Sequence, residues 1–221
     1  MLRAAVLGVN DGLVSNLSLV MGVAGAALES RAILITGLAG LLAGAWAMAM
    51  GEWLSVQSAR ELHARQLKIE KQHLLLIPEA EYAEFVAMYQ AKGLSAHLAH
   101  QVAAHLMKNP EYALDTMARE ELGINPDDLG ESAWQAAGAS FVLFTLGAIV
   151  PVAPFIFLVG MPAVISSLVA SAVALMIVGA SISRMTGRGA LFSAIRQILF
   201  GMVAAGLTFG IGQFIGASIG R

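Results

Sequence analysis

The sequence predicts an all-α membrane protein with five transmembrane helices and a cytosolic helical insert between helices 2 and 3. Two observations predict it. Charge-poor hydrophobic blocks flank a polar middle that holds all five histidines and most of the fifteen acidic residues. From Ser132 to Ser183 there is not one Asp, Glu, Lys or Arg. A bilayer core about 30 Å thick takes about 20 apolar residues per helix, so the outer blocks read as spans and the middle as a water-facing domain. Composition agrees. The 221 residues are 57% hydrophobic and 13% charged, with a mean hydropathy of +0.73, whereas soluble domains carry about 25% charged residues. The division is 1–55 for helices 1 and 2, 56–131 for the insert, and 132–221 for helices 3 to 5.

The first span runs from Ala4 to Leu28 and the second from Ala32 to Leu54, joined by the polar turn Glu29-Ser30-Arg31. The third runs from Trp134 to Val150 and stops at Pro151-Val152-Ala153-Pro154. The fourth runs from Pro162, a residue suited to a first helical turn, to Ser183, and the fifth from Leu191 to Ile219. Gly206, Gly210, Gly212, Gly216 and Gly220 form a small-residue ladder on the fifth, fit for self-association or for packing within the chain. In the insert the second helix continues to Leu76, Pro78 starts a helix that ends near Ala91, Ser95 caps another to Lys108, and Asn109-Pro110 opens one that Gly123 stops.

Basic residues set the orientation. Arg3, seven insert residues, and Arg184, Arg188 and Arg196 fall on one side, with Arg31 and Arg221 on the other. The positive-inside rule then places the N-terminus and insert in the cytosol. The compact chain, with no evident targeting extension, favours a bacterial inner membrane over an organellar one. A net charge of −2 without a basic stripe gives no reason to expect nucleic acid, and zero cysteines exclude disulfides and thiolate metal sites.

Asp11 lies inside the first apolar stretch. A charge at the membrane centre costs about 2.5–3.5 kcal/mol on insertion scales, so such a residue either faces an ion path or marks the edge of the helix. Asp11 and Met48 lie nearly equidistant in sequence from Ser30, hence at similar depth on two antiparallel helices, and Glu52 follows Met48 by one turn. These three are candidates to line one cavity, although Met48, like Met50, also suits plain packing. In the insert Glu70 with His73, Glu81 with Glu84, and Met117 with Glu121 share helical faces. Carboxylate and imidazole suit divalent Fe, Mn, Co and Zn, although acid pairs also abound on solvated helices. His97, His100 and His105 read as the polar face of a helix whose Leu94, Leu98, Val102 and Leu106 point inward.

With Asn10-Asp11-Gly12-Leu13, Met48, the run from Arg65 to Glu70, Pro78-Glu79, Lys108-Asn109-Pro110, Glu121-Leu122-Gly123 and Val150-Pro151-Val152-Ala153-Pro154 in this order, the chain resembles the vacuolar iron transporter family over nearly its full length. The resemblance implies a homodimer that exports Fe²⁺, with Mn²⁺ and other divalent ions tolerated, from the cytosol by proton antiport. It implies an ion path between the two first helices, Asp11 as the intramembrane acid with Met48 beside it, and a metal-binding insert that uses Glu70, Glu81, Glu84, Met117 and Glu121. No cofactor is implied; metal ions and protons are cargo. His73 stands where the family has glutamate, Ala118 replaces a methionine, and Gly40 replaces a glutamate of plant and parasite members, a loss for which Glu52 is the candidate substitute. Three other readings compete. A Mn²⁺-selective exporter shares the ligand set. A membrane-anchored metal sensor or scaffold would bind through the insert without transport. A membrane hydrolase would need a nucleophile and a base in the spans, where there is no histidine.

Overall fold

The computed structural model describes residues 2–26, 29–125, 130 and 132–219. The ends of the expected first span at Leu28 and of the insert at Glu131, together with Gly220 and Arg221, lie outside the described residues, as does the side chain of Arg3. Among the described residues every regular element is a helix, and none is a strand. They form α1 (Leu2–Gly25), α2 (Ser30–Leu76), α3 (Pro78–Ala91), α4 (Ala96–Leu106), α5 (Pro110–Glu120), α6 (Ala133–Val152), α7 (Pro154–Phe157), α8 (Met161–Thr186) and α9 (Ala190–Ile219). Five of them, α1, α2, α6, α8 and α9, are long and apolar enough to cross a membrane. The chain forms two compact units, Met1–Trp53 with Trp134–Arg221, and Leu54–Ala133.

The first unit packs around α1. Leu17, Val20 and Met21 are buried with Ile33 of α2, Val152 of α6, Phe155 of α7, Ala163 of α8 and Ala205 of α9. A second cluster joins Leu41 and Ala45 of α2 to Phe144 and Ala148 of α6. Lipid offers no hydrophobic drive for helices to associate, so close packing and polar bonds must hold them. Both are present. A Cβ at Gly212 would collide with the Gly22 carbonyl, and one at Gly216 would stand 2.8 Å from the Ala26 oxygen. These glycines therefore bring α9 against α1 within the chain, whereas Gly206 and Gly210 meet nothing within 4 Å. The sequence ladder divides between two faces.

Polar bonds add to this. Asn16 donates to the Gly37 oxygen of α2 at 3.2 Å and to the Ala148 oxygen of α6 at 2.7 Å. Gln197 of α9 bonds Asn10 of α1. Ser167 donates to the Pro151 oxygen at 2.7 Å. α6 holds Pro151 in its last turn and ends at Val152, within the expected stop at 151–154, before the short α7. Ser30 and Arg31 do not form a turn. They begin α2, and the Ser30 hydroxyl accepts from the Gly160 amide at 2.7 Å.

In the second unit, Phe85 and Val86 of α3, Ala99 and Ala103 of α4, and Ala113 and Met117 of α5 form a core lined by Leu74 of α2. Ser95 and Asn109 cap α4 and α5 by accepting from the Leu98 and Glu111 amides, the role such residues fill at helix starts. The inner face of α4 differs from the sequence reading. Leu98 is 50% exposed, and Ala99 and Ala103 are buried in its place, because the short alanines allow α4 to lie close to α3. Among the histidines, His100 bonds Tyr82 at 2.9 Å and His97 bonds Gln101 at 3.2 Å, both on exposed ground.

Gly212→Val is expected to destabilise the protein by at least about 1–3 kcal/mol, since the clash is with backbone. Gly206→Ala is expected to be neutral or stabilising by up to about 1 kcal/mol. Thermal unfolding in detergent measures both. Equal losses would show that the α1–α9 approach does not matter.

Candidate metal sites

Two constellations of ligand-type side chains stand out, one in each unit. In the first unit a cavity of about 370 Å³ is lined by Asp11, Ser15, Asn16 and Leu19 of α1, Gly40, Gly44, Ala47 and Met48 of α2, and Phe144 of α6. Asp11 and Met48 therefore meet at one cavity, as their matched distances from the α1–α2 connection predict. Asp11 is exposed there, and among the described residues no cation or hydrogen-bond donor pairs with its carboxylate. Glu52 does not join them. It sits half-buried one turn further along α2, outside the lining. Gly40 is in the lining, and a Cβ there would press on Leu19 and stand 2.9 Å from Asn16 Oδ1. A larger side chain at that position would occupy this cavity. The sequence reading missed Asn16 and Ser15. An asparagine on an apolar helix, five residues after an acid, was the signal available.

In the second unit α2 and α3 bring three ligand-type residues together. His73 Nδ1 lies 3.8 Å from Glu70 Oε2 and 3.4 Å from Glu81 Oε1, and one ligand atom from each of the three lies within 4.8 Å of the others. Helical spacing aligns Glu70 with His73. The break at Ile77-Pro78 turns the chain so that Glu81 of α3 faces them. Glu81 is 2% exposed, and its Oε2 has no hydrogen-bond partner. Burying a carboxylate without a partner is costly, so such a group calls for a proton or a cation.

Glu84 and Glu121 extend the group. Desolvation, then the charges of Glu70 and Glu84, raise Glu81 above its ordinary value, and His73 opposes the rise. Partial burial of its carboxyl, then the charges of Glu84, Glu70 and Glu81 and a hydrogen bond with Glu84, push Glu121 up to about 7. The Lys and Arg ion pairs of this unit go elsewhere, Lys92 to Glu120 and Arg119 to Asp115. Met117, one turn before Glu121, is fully buried in the apolar core with Phe85 and Ala113. Four carboxylates and an imidazole thus crowd one place, and among the described residues no Lys or Arg pairs with them. Such a donor set can hold a divalent ion.

The profile of the VIT family matches residues 2–213. "Vacuolar iron transporter 1" of Eucalyptus grandis is 32% identical over 214 residues, 96% of this chain and 86% of its own length. The protein of the same name from Arabidopsis thaliana is 32% identical over 96% of this chain and 85% of its own length. "Vacuolar iron transporter homolog 5" of Oryza sativa subsp. japonica is 34% identical over 98% of this chain and 81% of its own length.

The raised carboxyls give a pH dependence with a definite sign. Folded Glu121 holds its proton to about pH 7, against an ordinary value of 4.5, so the folded state binds more protons across that window. The metal-free protein is expected to lose thermal stability as pH rises from 4.5 towards 7, and added Mn²⁺ to restore it. A metal-free melting profile that climbs over that range would contradict the crowding.

Proposed function

The chain belongs to the VIT family, and on that premise we propose that it is a divalent metal transporter that exports Fe²⁺ from the cytosol in exchange for protons. It is not an enzyme; its relatives are named as transporters. The observation that carries the reading is the shared cavity of Asp11 and Met48 on two helices long and apolar enough to span a membrane. Hard oxygen beside soft sulfur suits Fe²⁺, and Mn²⁺ is accepted by the same set.

The five apolar helices support five spans, and the excess of Arg and Lys in and beside the insert supports a cytosolic insert and N-terminus. Glu70, His73, Glu81, Glu84 and Glu121, with Met117 beneath them, gather the ion and raise its local concentration. Asp11 and Met48 then carry it through the membrane. A proton and a metal ion compete for the same carboxylate oxygens, so occupancy by one excludes the other, and that exclusion couples the two fluxes. Asp11 is exposed on a single chain. Two copies that pair through α1 would enclose the path between them, which supports a homodimer.

Reconstituted protein is expected to move Fe²⁺ into liposomes in exchange for protons that leave down their gradient, and Asp11→Ala to reduce that flux at least about a hundredfold, the order of effect when a charged ligand is lost. Undiminished flux in Asp11→Ala would refute the assigned role. Binding to the insert without flux in the parent would favour a sensor. Competition between Fe²⁺ and Mn²⁺ in the same assay decides whether the exporter prefers Mn²⁺.

A further inference from the structure

The amide of Asn16 is fixed by its donors. Its Nδ2 carries two hydrogens, and both are used, one on the Gly37 oxygen and one on the Ala148 oxygen. Exchanging nitrogen for oxygen would set Oδ1 against two carbonyl oxygens that have no hydrogen to give, so the orientation follows from the bonds themselves. The oxygen is left over. Asn16 is 2% exposed, Oδ1 has no hydrogen-bond partner, and the residue lines the Asp11 cavity. A buried acceptor without a partner is a free-energy loss that a structure seldom carries without a reason.

The other polar groups of the lining share one property. Ser15 donates its only hydroxyl hydrogen to the Asp11 backbone oxygen at 2.5 Å, which leaves lone pairs for the cavity. Ionised Asp11 is acceptor-only, and Met48 offers a thioether sulfur. The remaining lining, Leu19, Gly40, Gly44, Ala47 and Phe144, presents no polar side chain. Every polar side chain of the lining therefore presents electron pairs and no hydrogens. An anion has nothing to bind there. A cation does.

We infer that Asn16 is a metal ligand of the transport path, and that its Oδ1 supplies a fixed neutral oxygen to a divalent cation held by Asp11 and Met48. The inference rests on the transporter reading but is tested apart from it. A neutral amide adds a donor without adding charge, so the ion is bound firmly enough to enter and loosely enough to leave. It also takes no proton at working pH, so its donation to a cation does not vary with pH. Three helices hold the oxygen in place, because the two bonds of Nδ2 join α1 to α2 and α6.

Asn16→Ala removes the ligand and the three-helix bond together, and its failure to fold would be uninformative. Gly40→Ala separates them. The added Cβ would press on Leu19 Cδ2 and stand 2.9 Å from Oδ1, so the flexible Leu19 end must give way and Oδ1 is crowded, while neither acceptor of Nδ2 is removed. Mn²⁺ titration by electron paramagnetic resonance, on full-length protein in detergent, is expected to show a class of sites that Asp11→Asn abolishes. Gly40→Ala is expected to weaken that class about tenfold, the effect of losing one charge-assisted contact, while the melting temperature stays within about 4 °C of the parent. The loss should be larger for hard Mn²⁺ than for softer Co²⁺, a change of selectivity that simple loosening of the fold would not produce. An Asp11-dependent class that Gly40→Ala leaves at parental affinity and selectivity would overturn the ligand role, as would the absence of any such class. Liposome flux of the parent judges the transporter reading separately, since binding is measured without transport.

Discussion

Removing charge from water without a partner is costly, and this constraint governs both constellations in the protein. Glu81 is buried with one oxygen unpaired, beside Glu70 and within the field of Glu84, and its own charge bears on Glu121. In other folds such a crowd is relieved by a lysine or arginine. Here the Lys and Arg ion pairs seen among the described residues are Lys92 with Glu120 and Arg119 with Asp115, and neither involves these carboxylates. The repulsion is left standing, and Glu121 shows it as a carboxyl that holds its proton to about pH 7. Protons and divalent cations are the two species that relieve it, and they displace each other. A site of this kind loads metal when the metal is plentiful and the pH is not low.

Within the apolar unit the same constraint acts through geometry. An acid on α1 is tolerable there because α1, α2 and α6 leave a cavity around it instead of closing. That opening depends on small residues. Gly40 and Gly44 leave room on α2, and Gly212 and Gly216 let α9 support α1 from behind by close backbone contact. Asn16 ties the three walls together with its two donors and keeps its acceptor unpaired. Packing and chemistry are thus carried by the same few positions.

Much of the fold was legible because membrane helices announce themselves by composition. The charge-free run from Ser132 to Ser183 and the proline and glycine stops of the insert placed most elements to within a few residues. What escaped depended on tertiary contact. Ser30 joins α2, where its hydroxyl meets the Gly160 amide. The inner face of α4 moved from Leu98 to Ala99 and Ala103, since periodicity alone does not say which residues allow the closest approach. Of the site, helical spacing paired Glu70 with His73, and the matched depth joined Asp11 to Met48. Spacing could not show that Glu81 would face Glu70 across the helix break at Ile77-Pro78, that Glu52 would fall outside the cavity, or that Asn16 would line it with its oxygen unpaired.

The central claim is that cations, and not side chains, complete the carboxylate crowd. Anomalous X-ray scattering from crystals of the full-length protein grown with Mn²⁺ tests it directly. The account predicts a Mn²⁺ peak within coordination distance of Glu81 and shared with Glu70 and His73. Mn²⁺ peaks confined to other acidic residues, with Glu81 left bare, would contradict it.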